Sequence, residues 1–108
     1  THAQGFNGLS SNLISFLKRK KILLIEDVCE SHGATFKGKK LGTYGKISNF
    51  SFYYAHHMST IEGGMLTLDD KELYNVLLSI RSHGWGRDWS KENKSISMSK
   101  AMLGESND

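Results

Sequence analysis

Apolar residues fall at Leu9, Leu13, Phe16 and Leu17, a spacing of i, i+4, i+7 and i+8 that lines one face of a helix. Serines precede the run and Lys18-Arg19-Lys20-Lys21 closes it, so the pattern predicts a helix over 10–21 with a serine N-cap. Ile22-Leu23-Leu24-Ile25 is then continuously apolar, which predicts a short strand covered on both sides, as in a parallel sheet with helices on its faces. It ends abruptly at Glu26-Asp27. Residues 37–45, KGKKLGTYG, are rich in glycine and lysine and predict exposed turns. ISNFSFYY (47–54) is β-branched and aromatic and predicts a second strand, and MLTL (65–68) predicts a third. Asp69 with Glu72 three residues on predicts a capping box. The helix it opens has Leu73, Val76, Leu77 and Ile80 on one face, with a stop at Gly84. From Lys91 onward the pattern assigns no element.

The order helix, strand, strand, strand, helix predicts an α/β layer. In open α/β sheets ligands gather at the carboxyl ends of the strands. Two chemically rich clusters, Asp27–His32 and Ser51–His57, leave the ends of predicted strands, so these are the places to look for a site.

Composition narrows the picture. The 108 residues suffice for one small domain, and 23% charged with 38% hydrophobic residues is globular. The chain opens on Thr1 and contains no proline, against a usual share of roughly 5%. It reads as a piece of a longer protein. The net charge is +3, and its densest basic run lies at the end of the first predicted helix, where cations favour the macrodipole. No aromatic platform accompanies that run, so nucleic acid is not an expected partner. The single cysteine, Cys29, excludes an intrachain disulfide and suits a reducing cytoplasmic compartment. No apolar stretch reaches the roughly 18 residues of a membrane span, so no membrane association is expected. Neither Cys29 nor His32 clusters at metal-ligand spacing; both read as packing residues, and no metal is expected.

The run LLIEDVCESHGATFKGKKLGTYG, then SNFSFYYAHHMSTIEGGM, then RSHG, resembles the sugar aminotransferase family of pyridoxal-phosphate (PLP) enzymes in order and spacing across most of residues 20–88. The resemblance implies part of the large three-layer αβα domain of an aspartate-aminotransferase-like fold. The upstream phosphate loop and the C-terminal small domain of that fold are not expected within 1–108. In the family a lysine holds the cofactor covalently a few residues after Phe-Ser-Phe. Here that position falls on His56, and no lysine occurs between Lys46 and Lys71. This is similar to a small branch of the family, the 3-dehydratases of deoxysugar biosynthesis. The wording HHMSTIEGGM is most similar to the GDP-mannose type; the iron–sulfur-assisted CDP-sugar relatives carry paired histidines too.

What the resemblance implies for single residues can be weighed against chemistry. Asp27 matches the aspartate that bonds the pyridine nitrogen of the cofactor and keeps it protonated, so that the ring accepts electrons. Glu30 stands where relatives have glutamine near the ring. Ser51 matches the serine that bonds the cofactor phosphate. His56 has no primary amine and cannot replace lysine as a covalent anchor, but an imidazole moves protons near neutrality. With pyridoxamine phosphate as the working form, that combination implies loss of the C3 hydroxyl from a nucleotide-linked 4-keto-6-deoxysugar rather than amination. Glutamate is the implied amino donor, and a homodimer the implied assembly of the full-length protein. His83, in RSHG, is either a second catalytic group near His56 or a helix-end histidine complementing the dipole. His57 reads as structural. Two other functions stay in view: a keto-sugar aminotransferase, which the missing lysine opposes, and a non-catalytic binding protein of the same fold.

Overall fold

Ser10 caps the first helix, α1 (Ser11–Lys20): its hydroxyl accepts the Leu13 N–H at 3.1 Å, and Lys21 ends the helix in the left-handed region at φ 55°. The computed structural model describes residues 1–84; residues 91–108, to which the pattern assigns nothing, lie outside them. The chain divides into a unit of residues 1–68 and a second beginning at Asp69.

In the first unit, Ala3–Gly5 form one 3-10 turn ahead of α1. Five strands follow: β1 (Ile25–Asp27), β2 (Thr35–Phe36), β3 (Lys39–Lys40), β4 (Ile47–Ser51) and β5 (Gly64–Thr67). β1, β4 and β5 form one sheet in that order, with β1 parallel and β5 antiparallel to β4. The sheet is thus mixed, not purely parallel. Its parallel half sets Ile25 opposite Ile47 and Asp27 opposite Asn49. The apolar run 22–25 does not coincide with β1: the strand starts at its last residue and continues through both acids. Pairing, not hydropathy, sets that boundary, since the partner begins at Ile47. Nor is the run covered on both sides; Leu23 and Ile25 are 73% and 63% exposed. β2 and β3 form an antiparallel hairpin, which puts strand β3 inside the segment 37–45 expected to be turns. Lys37 and Gly38 form its two-residue connection, both at positive φ, as hairpin turns require. β4 stops at Ser51, three residues before the expected end, and β5 runs one residue ahead of the expected 65–68.

The core gathers Leu9, Val28 and Leu41, with Ile14, Leu24, Ala34, Phe36, Tyr44 and Phe50 packed around them. α1 contributes Ile14 to it, whereas Leu13 and Phe16 of the expected apolar face are exposed. Beside this core lies a carboxylate. Glu26 is 1% exposed, and its two oxygens accept the backbone N–H groups of Gly42 (2.8 Å), Tyr44 (2.6 Å) and Gly45 (2.6 Å). The His2 ring adds Nε2 at 3.1 Å, while His2 Nδ1 accepts the Gly8 N–H at 3.0 Å. An acceptor at Nδ1 leaves the proton on Nε2, which therefore donates to Glu26. Burial alone would raise the Glu26 pKa; the three N–H donors and His2 outweigh it and hold it below the ordinary glutamate value.

In the second unit, α2 (Lys71–Arg81) is capped by Asp70, whose Oδ1 accepts the Leu73 N–H at 3.0 Å. The expected capping box from Asp69 to Glu72 does not form, because the neighbouring Asp70 takes the cap and puts Leu73 at the third helical position. The expected apolar face is not the covered one either. Asn75 and Ser79 are buried, while Val76 and Ile80 are exposed. Spacing identifies an amphipathic helix but not which side meets a neighbour.

Candidate functional site

Period-two alternation sends Glu26 and Val28 into the core and leaves Asp27 on the opposite face of the sheet, at the carboxyl end of β1. The parallel register brings Asn49 alongside, and its Nδ2 donates to Asp27 Oδ1 at 3.1 Å and to Cys29 Sγ at 3.1 Å. The Cys29 N–H also donates to Oδ1, at 3.1 Å. Oδ2 meets the Thr1 hydroxyl at the long distance of 3.4 Å. The Cys29 thiol hydrogen-bonds the carboxylate and holds the Asp27 pKa below the usual aspartate range, more strongly than burial raises it, with Asn49 helping. Conversely, burial first and the Asp27 carboxylate second push the thiol pKa up. Cys29 is thus a neutral donor, not a thiolate.

Ser51 lies two residues beyond Asn49 and so on the same face of β4. Its oxygen accepts the Tyr53 N–H at 3.1 Å, which leaves the hydroxyl proton to donate elsewhere. Beyond Ser51 the chain leaves the ladder and returns to β5 through a loop pinned by its own backbone. Phe52 N bonds Gly63 O (2.8 Å), Thr60 N bonds Phe52 O (2.9 Å) and Tyr54 N bonds Ile61 O (3.1 Å). His56 rides on this loop, its N–H donating to Tyr53 O at 3.0 Å and its ring edge-on to Tyr53. His56 Nδ1 is buried and has no hydrogen-bond partner.

Glu30 is exposed, and its Oε2 accepts the Gln4 N–H at 2.9 Å. Gln4, at φ 52°, Glu30, Ala55, His56 and His57 line a cavity of about 410 Å³, within the size range of small-molecule sites. His32 packs its ring against Phe50, Phe52 and His57, with centroids 5.6, 5.9 and 5.6 Å away. Burial first, then His57 and His56, lower its pKa. His32 packs as its sequence context suggests, with its ring against His57 of the histidine pair.

Of the residues singled out in the sequence, Glu30 and His56 therefore share a cavity. Asp27 and Ser51 are not among its lining residues and occupy the strand ends instead. His83 belongs to the second unit, just beyond α2, where its N–H donates to Ile80 O at 3.3 Å. Sequence reasoning missed Asn49 and Gln4. Alternation carried the signal for Asn49, since a strand that presents Ser51 on one face presents Asn49 on the same one. Nothing comparable pointed to Gln4, which reaches the cavity through a backbone contact. Among the described residues no group of three or more His, Cys, Asp or Glu side chains is placed to hold a metal ion.

The donor set suits a phosphorylated pyridine cofactor. Asp27 Oδ2, with the Thr1 hydroxyl at 3.4 Å, has room to accept a ring N–H, Ser51 keeps a hydroxyl proton, and the buried His56 Nδ1 has no hydrogen-bond partner among the described residues.

Comparison with known proteins points the same way. Residues 9–105 match the profile of the DegT/DnrJ/EryC1/StrS aminotransferase family. The chain is 52% identical over 75 residues to the GDP-4-keto-6-deoxy-D-mannose 3-dehydratase of Escherichia coli O55:H7, covering 69% of this chain and 19% of that protein. It superposes with a TM-score of 0.78 and 42% identity on the E. coli GDP-4-keto-6-deoxy-D-mannose 3-dehydratase with bound hydrated PLP, covering 83% of this chain and 23% of that one. A structure of GDP-4-keto-6-deoxymannose 3-dehydratase with a trapped PLP–glutamate geminal diamine matches equally, with a TM-score of 0.78 at 41% identity over 83% and 23% of the two chains. The chain thus spans about a fifth of the length of these relatives, has the α/β fold of the PLP aminotransferases, and belongs to the DegT/DnrJ/EryC1/StrS aminotransferase family.

Proposed function

We propose that the chain is the cofactor-binding portion of a PLP- or pyridoxamine-phosphate-dependent 3-dehydratase. Its substrate is a GDP-linked 4-keto-6-deoxysugar, of the kind consumed in deoxysugar and lipopolysaccharide O-antigen biosynthesis. The observation that carries this reading is His56, which stands where the family has its anchoring lysine and turns an unpartnered, buried Nδ1 into the fold beside Glu30. When bound, the cofactor supplies an electron sink that allows the C3 hydroxyl next to a C4 keto group to leave. Asp27 holds the ring nitrogen's proton with its free oxygen, and Ser51 donates to the phosphate. His56 would take and return protons at Nδ1, the ring atom that no other group among the described residues engages. With no lysine between Lys46 and Lys71, this segment offers no amine to hold the cofactor covalently and no ammonium group to return a proton to sugar C4, as amination would require. The same reading makes glutamate the amino donor, His83 a second histidine of the site, and the full-length protein a cytoplasmic homodimer. The described residues contain no helix long and apolar enough to cross a membrane.

The test uses the complete protein. Borohydride reduction of the cofactor-loaded form followed by peptide mass measurement is expected to leave residues 46–71 without attached cofactor. His56→Asn is expected to lose at least a hundredfold in dehydration rate, in the range of general acid–base contributions. Full activity in that variant would remove His56 from the chemistry.

A further inference from the structure

The Asp27 carboxylate does not stand alone at the end of β1. Asn49 reaches it across the parallel ladder, and the same amide also holds Cys29 Sγ, each at 3.1 Å. Cys29 closes the ring, donating its backbone N–H and its thiol to the carboxylate. All these donors other than Thr1 come from the sheet and the turn that follows it. Apart from Cys29 N, each engages Asp27 through a side chain rather than through the backbone ladder that holds the strands together. From this geometry we propose that Asn49 is a positioning residue. It fixes the plane of the Asp27 carboxylate and keeps it anionic, so that one oxygen stays aimed at the protonated ring nitrogen of a pyridine cofactor.

The chemistry of the ring supports this. Oδ1 accepts two N–H donors, whereas Oδ2, with the Thr1 hydroxyl at 3.4 Å, keeps capacity to accept a further hydrogen bond. A carboxylate held by one oxygen cannot rotate without breaking the bonds to the other. Hydrogen bonds to the charged form also favour that form, so Asn49 extends towards acid the pH range in which Asp27 can pair with a cation. The groups that face the carboxylate are Asn49 from β4, Cys29 from its own segment and Thr1 from the N-terminal segment. Of these side chains only the Cys29 thiol titrates. Glu26, the adjacent acid, is committed to the other face.

The inference rests on Asp27 being the cofactor's partner, and the experiment separates the two claims. PLP and pyridoxamine phosphate are titrated by absorbance into the complete protein and its variants across the pH range. Asn49→Leu keeps the volume but removes the donor. Its affinity for PLP is expected to fall roughly tenfold to a hundredfold, the weight of one hydrogen bond to a charged group. The acid limb of its binding profile is expected to move to higher pH, because Asp27 then protonates sooner. A residue that only supported the fold would weaken binding without moving that limb. Cys29→Ala removes the donor that lowers the Asp27 pKa most and is expected to move the limb in the same direction by a larger amount, with Cys29→Ser restoring it. If Asn49→Leu does not accumulate as folded protein, Asn49→Ser, which is too short to keep the bond to Asp27, is titrated in its place, and an unmoved limb overturns the proposal. Asp27→Asn is the control. If it leaves PLP affinity unchanged, Asp27 is not the cofactor's partner and both claims fail. If it abolishes binding while Asn49→Leu matches the parent in affinity and limb, only the role of Asn49 is overturned.

Discussion

Two consecutive carboxylates, Glu26 and Asp27, are sent to opposite faces of β1 by the period of a strand, and the difference in surroundings gives them different work. Glu26 is sealed in, with three backbone N–H groups and His2 as partners. Glu26→Gln turns an amide that also carries donors towards those N–H groups, and is expected to destabilise the complete protein by about 3 kcal/mol, readable as a lower denaturant midpoint. The pH dependence has a definite sign. The folded-state pKa lies below the ordinary value of about 4.5, so the stabilisation is complete above that value and is lost as the pH falls through the folded pKa. The parent's denaturant midpoint, followed by circular dichroism, should therefore fall as the pH drops below about 4.5, and the part of that fall due to Glu26 should be absent from Glu26→Gln, which is already destabilised at neutral pH. The strand-end positions of Asp27 and Ser51 were legible in the sequence because an apolar or β-branched run stops at or near each of them. The role of Glu26 was not, because its partners come from residues 2 and 42–45, and only the folded loop brings their N–H groups to one point.

At the scale of elements, that loop is built around glycines whose missing side chains matter. A Cβ on Gly45 would lie 2.9 Å from the carbonyl oxygens of both Leu24 and Ile47. On Gly42, at φ 88°, it would meet the Phe50 ring at 2.6 Å. Gly38, at φ 75° in the β2–β3 turn, has open space around it. Gly45→Ala is expected to cost about 2 kcal/mol or more, since backbone atoms must part, whereas Gly38→Ala should cost about 1 kcal/mol from backbone conformation alone. Thermal unfolding of the two variants distinguishes these outcomes. Helix α1 was readable because its cap is local: Ser10 and the αL residue at Lys21 need nothing beyond the helix. The ends of β1 and β4 were not, because pairing register set them, and register is a property of two segments at once.

For the whole chain, the apolar surface that remains uncovered is the informative quantity. Ile22, Leu23 and Ile25 stand exposed at one edge of the sheet, and Met65 and Leu66 at the other. A sheet edge with exposed hydrophobic residues is a site of association. Relatives of the family are about five times longer than the matched region. The 108-residue chain expressed by itself is accordingly expected to bind a hydrophobic dye and to elute as aggregates in size exclusion, while a protein containing it at the relatives' length should do neither. The helix–strand order that suggested an α/β layer survives in the fold. Which residues would stay uncovered was hidden, since periodicity reports a face and not its neighbour.

The parallel pairing of β1 with β4 also has a consequence for how the protein is made. Among the described strands, β1 has no partner in its sheet until residue 47 and its successors exist, whereas β4 and β5 need only the short loop between them. As the polypeptide leaves the ribosome, Asp27 therefore waits some twenty further residues for the strand that carries its side-chain partner Asn49. A pause in translation within that stretch would leave the acid without its neighbour Asn49, and an emerging chain would be most open to capture by a chaperone at that moment.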